Sequence, residues 1–94
     1  MMVYVRRHVE SEGAFVECKP QDRVAVVKER AARKIAETAP LGRIRLAREN
    51  DPEASINEKN TCSEENIENN CELVLIVKYP ENLGGEHSIN NLYY

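Results

Sequence analysis

The stretch Lys19-Pro-Gln-Asp-Arg-Val-Ala-Val-Val-Lys-Glu-Arg-Ala-Ala-Arg-Lys-Ile35 carries a single apolar stripe. Val24, Val27, Ala31 and Ile35 recur at the spacing of one helix face, while Arg23, Arg30, Arg33 and Lys34 fall largely off it. Pro20 stops the strand expected before the helix, and Asp22 is placed to accept from the free amides of the first turn. A helix of this length is marginal on its own in water, so its stripe must lie on something else. The flanking sequence offers only strands.

Upstream, Met2 to Arg7 alternates, with Val3 and Val5 on one side and Tyr4 and Arg6 on the other. Glu10 to Gly13 is polar and ends in glycine, which predicts a turn. Ala14 to Lys19 is then a second strand, with Ala14, Val16 and Cys18 on one face and Phe15 and Glu17 on the other. Two strands this close form an antiparallel hairpin. Downstream, Ala39-Pro40-Leu41-Gly42 ends the helix. Arg43 to Arg48 predicts a third strand, with Ile44 and Leu46 inward and Arg45 and Ala47 outward. Glu49 to Asn60 is polar, acidic and interrupted by Pro52, and is expected to be turn-rich. Thr61-Cys62-Ser63 opens a short helical turn with Thr61 as its cap. Cys71 to Tyr79, the most apolar run, is the last strand, and Pro80 ends it. The sequence therefore predicts one domain over residues 1–79 and a polar tail over 80–94. Its fold class is α+β: a mixed four-stranded sheet, first and last strands side by side at the centre, packed on one helix.

Composition agrees. The 94 residues are 41% hydrophobic and 31% charged, which suits a globular chain better than a disordered one. No apolar run approaches the roughly 20 residues that cross a bilayer, and Arg6 and Arg7 follow the apolar start instead of preceding it, unlike a signal peptide. No membrane association is expected. Cys18, Cys62 and Cys71 are an odd set without close pairs, which points to reduced thiols, no zinc site and a cytoplasmic or nuclear setting. The net charge of −3 conceals an asymmetry: residues 1–48 balance at +5 and residues 49–94 at −8. His8 and His87 sit in no ligand pattern, and neither a nucleophile–base set nor a phosphate loop stands out. The chain is read as non-catalytic, with no cofactor. Arg30, Arg33, Arg43 and Arg48 offer a basic face, but a single phenylalanine and the net negative charge make nucleic acid the weaker option.

Five short motifs in order resemble ubiquitin and its β-grasp relatives. They are Met1-x-Val3-Tyr4-Val5-Arg6; Pro20-x-Asp22-x-Val24-x-x-Val27-Lys28; Pro40 followed by Arg45-Leu46; Thr61-x-Ser63-Glu64-x-Asn66-Ile67; and Leu73-x-Leu75-Ile76-Val77-Lys78. The resemblance spans residues 1–78. It implies a ubiquitin-like fold with Val3, Val5, Val16, Cys18, Val24, Val27, Ala31, Ile44, Leu46, Cys62, Ile67, Leu73 and Leu75 inward. A narrower likeness, in Arg6-Arg7-His8 and Arg45-Leu46, is to the elongin-B-like adaptors, which implies ubiquitin-ligase components as partners.

Departures from the ubiquitin pattern shape the functional expectation. Ala47, His8 and Val74 replace residues of ubiquitin's recognition patch, and Ile76 alone keeps its type, so ordinary ubiquitin receptors are not expected to bind. Val74 and Ile76 should face away from the helix, on the same side as Tyr4 and Phe15. Together they are expected to form an apolar protein-binding patch bordered by Arg6 and Arg45. Arginine at position 74 or 76 is then expected to spare the fold and abolish binding. The alternative is that Leu92-Tyr93-Tyr94 folds back over this face. Leu83-Gly84-Gly85, with nine residues beyond, also resembles a modifier precursor, in which Gly84 and Gly85 would be the processing site.

Overall fold

Val24, Val27 and Ala31 are completely buried, and Ile35 is half-buried at the end of the same stripe. The computed structural model, which describes residues 1–8, 10 and 12–78, seats this face on a sheet. Strands β1 (Met2–Arg7) and β2 (Gly13–Glu17) form the antiparallel hairpin, with Val3 opposite Val16 and Tyr4 opposite Phe15. Helix α1 (Val24–Lys34) follows, then a 3-10 turn (Leu41–Arg43), β3 (Ile44–Arg48), β4 (Asp51–Ser55) and β5 (Glu72–Val77). The strand order is β2-β1-β5-β3-β4. β1 and β5 run parallel at the centre, and β3 is antiparallel to β5. The architecture is α+β, one α-helix and a mixed sheet, compatible with the β-grasp expectation.

The sheet has five strands, not the four expected. The additional strand is β4, drawn from the stretch read as turns. It pairs with β3 through Ala47 opposite Ser55 and Arg48 opposite Asp51, with a bulge in the register. Four of its five residues are exposed, so it has no buried face whose alternation could appear in the sequence. Pro52 fits because an edge strand can dispense with an outward-facing amide.

Every position expected inward is buried. Register explains why they converge: Val5 lies opposite Leu73, and Leu75 lies opposite Leu46, so the apolar faces of three strands lie side by side. Each fully buried Val or Leu contributes roughly 1.5–3 kcal/mol relative to exposure. Ile56, just beyond β4, joins this core, its amide bonded to the Leu46 carbonyl at 2.9 Å.

The helix begins at Val24, and its ends are held differently from the sequence expectation. Arg23 is the N-cap and makes no side-chain capping bond. Asp22 instead accepts the Lys19 amide at 2.9 Å, closing the turn before the helix. The first helical amides are satisfied from far along the chain: Val24 N–H donates to the Asn60 carbonyl at 2.9 Å and Ala25 N–H to that of Glu58 at 3.2 Å. At the other end, Ala36 takes a left-handed φ of 57°. Glu37 N–H bonds the Ala32 carbonyl at 2.8 Å and Ala36 N–H that of Arg33 at 3.2 Å, which is a Schellman closure built without glycine. Thr61 does cap its turn. Its hydroxyl accepts from Glu64 N–H at 3.1 Å while the Glu64 carboxylate accepts from Thr61 N–H at 2.8 Å, a reciprocal capping box.

Candidate protein-interaction surface

Pleating sends alternate side chains to the face opposite the helix. On β1 these are Met2, Tyr4 and Arg6; on β2, Phe15 and Glu17; on β5, Glu72, Val74 and Ile76; on β3, Arg45 and Ala47. The hairpin register brings Tyr4 and Phe15 together, with ring centroids 5.1 Å apart and planes inclined by 57°. This tilted arrangement is a favourable one for aromatic pairs. Phe15 remains 53% exposed and Met2 37%.

Val74 and Ile76 share this face but not that exposure. Each retains only 1% of its accessible surface, and with Ala47 they form a small apolar cluster separate from the main core. The expected continuous patch is therefore divided, and its β5 half is shielded. One reason is Arg6, which lies opposite Val74 in the register. Its guanidinium donates to Glu72 Oε2 at 2.8 Å, pairs with Glu49 Oε1 at 3.5 Å, and reaches the carbonyls of Arg7, His8 and Glu10 at 3.1–3.2 Å. Glu49 follows β3, and β5 lies between β3 and β1, so this arm crosses the outer face over β5. The hydrogen bond that Arg6 donates to Glu72 leads the effects that raise the Arg6 pKa above its ordinary value. Arg45 borders the cluster as expected: it lies opposite Ile76 and donates to Ser55 Oγ at 3.2 Å. An arginine at 74 or 76 would have to enter a shielded site. Both substitutions are now expected to destabilise the fold, so they are unsuitable as probes of binding alone.

The four arginines considered as a basic face are dispersed. Arg30 and Arg33 stand on α1, Arg43 on the 3-10 turn and Arg48 at the end of β3, where it bonds Glu65. Cys18 and Cys62 are buried free thiols, and Cys71 is half-buried. Burial, then the neighbouring Cys18, pushes the Cys62 thiol up to about 11; burial likewise raises Cys18. Neither suits nucleophilic work at neutral pH. Among the described residues, no three His, Cys, Asp or Glu side chains are grouped to hold a metal, and no helix is long and apolar enough to cross a membrane. Gly84, Gly85, His87 and the Leu92–Tyr94 segment lie outside the described residues. The exposure of Met2 and the bridging role of Arg6 were not apparent from sequence. Alternation placed Arg6 outward, but only the register shows what lies beside it. No protein-family model matches the chain, and a search of curated proteins gave no match.

Proposed function

We propose that this chain is a non-catalytic ubiquitin-like protein-interaction domain, acting as an adaptor within a ubiquitin-ligase assembly. The observation that carries it is Phe15: a large aromatic ring, supported by Tyr4 and half in water, on a sheet face that α1 leaves uncovered. Aromatic side chains of this kind are enriched in protein interfaces and serve as their anchors. The ordered run of ubiquitin-like motifs supports the family, and the elongin-B-like features supply the class of partner. A parallel β1–β5 pair under one helix is what that family would require.

The test is co-purification with ubiquitin-ligase adaptor components, comparing wild type with Phe15→Glu. The substitution removes a half-exposed ring and its pairing with Tyr4, so it should cost about 1–2 kcal/mol in thermal unfolding while the fold is retained. Capture should fall by at least about tenfold, the loss of a modest anchor. Undiminished capture by Phe15→Glu would remove this face from the interface. Absence of any ligase component from the wild-type sample would remove the adaptor role.

A further inference from the structure

Two cysteines meet inside the core. Cys18 follows β2, and Cys62 stands in the turn that Thr61 caps. Cys18 keeps 1% of its accessible surface and Cys62 none. Backbone bonds hold the segments that carry them. Cys18 and Met1 exchange bonds at 2.9 and 2.7 Å. Cys62 N–H donates to the Asp22 carbonyl at 2.8 Å and Ser63 N–H to that of Pro20 at 2.9 Å, while Ile67 N–H returns to the Cys62 carbonyl at 2.9 Å. The two thiols are thus presented to each other from fixed frames, and they share a hydrogen bond.

The two sulfurs differ in what surrounds them. Cys18 borders a groove of about 580 Å³ between β2 and α1, and Cys62 lies behind it in the core. Burial leads in holding the proton on Cys18, and the Asp22 carboxylate adds to it. The bond from Cys62, the Met1 ammonium and the Arg30 guanidinium all work the other way. At Cys62, burial, the neighbouring Cys18 and then Asp22 all keep the proton in place. Cys18 is therefore the sulfur that ionises first, and the one that borders the groove. Both remain protonated near neutrality, which makes oxidation there slow.

We infer that Cys18 and Cys62 form an oxidisable dithiol, which hydrogen peroxide converts into a disulfide tying the end of β2 to the Thr61 turn. The Cys18 thiolate attacks one peroxide oxygen. An S–O bond forms, the O–O bond breaks, and the departing hydroxide takes up a proton and leaves as water. Cys18 is now an uncharged sulfenic acid, so one of the causes that hold the Cys62 proton is gone. The Cys62 sulfur then attacks that of Cys18. The S–S bond forms, the S–O bond breaks, and a second water leaves with the Cys62 proton. The two thiols have given two electrons to peroxide. The product is neutral, so the core can keep it. The link closes the chain from Cys18 to Cys62 and restricts the unfolded state. Cys18 lies on the helix side of the sheet and Phe15 on the other, so this chemistry stands apart from the adaptor reading.

The test treats the full chain with hydrogen peroxide at about 1 mM and follows its mass. Wild type should lose the mass of two hydrogens, at least about tenfold faster at about pH 9 than at about pH 7. A non-reducing tryptic map should join the peptide that holds Cys18 to the one that holds Cys62. The oxidised chain should melt at least about 10 °C higher, until dithiothreitol reverses both changes. Cys62→Val lacks the second sulfur and should stop at a sulfenic acid that dimedone labels on Cys18. Cys18→Val should leave Cys62 reduced. The wild-type map decides the matter even where a variant fails to fold. The inference is overturned by absence of the joined Cys18 and Cys62 peptides, by pairing of either residue with Cys71, by dimedone labelling confined to Cys62, or by an oxidised chain that melts no higher than the reduced one.

Discussion

Lys28 is the one charged side chain among the described residues that is buried, and it uses all three of its donors. Its ammonium bonds the Leu41 carbonyl at 2.8 Å, the Ile44 carbonyl at 3.1 Å and Glu58 Oε1 at 2.8 Å. It therefore ties the helix to the start of β3 and to the loop that also receives the first helical amides. Lys28→Met would strand two carbonyls and a carboxylate, and should cost about 3 kcal/mol in urea unfolding. Its burial was not legible, because lysine is ordinarily exposed and its position adjoins the stripe without belonging to it. The cysteines were more legible. Strand alternation put Cys18 inward, and the ubiquitin-like resemblance put Cys62 there; both are buried. What the sequence could not show is that they meet there, and that meeting gives a pH dependence. The folded state keeps the Cys62 proton up to about 11, whereas the reference value is 9.0. Below that reference the benefit is fully present; it is lost as pH rises from there through the folded value. The urea midpoint should fall across that window, and less so in Cys62→Val. Native labelling with a maleimide near neutral pH should modify Cys71 well before the other two.

Elements with a buried face announced themselves, and those without one did not. β1, β3 and β5 carry apolar residues at alternate positions toward the helix, and their faces were read correctly. β4 has no such face, and it exists because its backbone completes a ladder with β3. Helix termini show the same division. Thr61 and Glu64 form a local box that four residues suffice to specify. The start of α1 depends on Asn60 and Glu58, which only the tertiary fold brings near. Two substitutions follow. Ala36→Gly should stabilise by about 1 kcal/mol, because the left-handed backbone penalises a Cβ. Thr61→Ala should destabilise by about 1 kcal/mol through loss of the cap. Chemical denaturation of the two variants, with opposite expected signs, checks both.

At the scale of the molecule, the outer face shows the limit of pattern reading. Alternation located Tyr4, Phe15, Val74 and Ile76 on one side, which is correct, but exposure depends on what crosses above them. Arg6 belongs to another strand than the residues it overlies, and sequence spacing does not encode that passage. Long-range ion pairs also set the behaviour in acid. Arg7 reaches Glu37, linking the end of β1 to the segment after α1. Burial pushes the Glu37 carboxyl up, but the Ala39 amide and the Arg7 guanidinium outweigh it and hold it below its ordinary 4.5. The Glu64 carboxyl is lowered too, first by the Thr61 amide. The folded state then binds fewer protons than the unfolded one beneath that value. Stability should be full above about pH 4.5 and fall as acid titrates these groups. Thermal melts of Glu37→Gln should show a flatter acid limb.

The parallel pairing of β1 with β5 has a further consequence, for how the protein comes into being. Translation delivers β1 first and β5 last, yet they are neighbours at the middle of the sheet. Until Glu72 to Val77 clear the ribosome, the β1–β2 hairpin and the β3–β4 pair have no strand to join them, and the helix has only part of its floor. Folding must therefore wait for nearly the whole described chain to be synthesised.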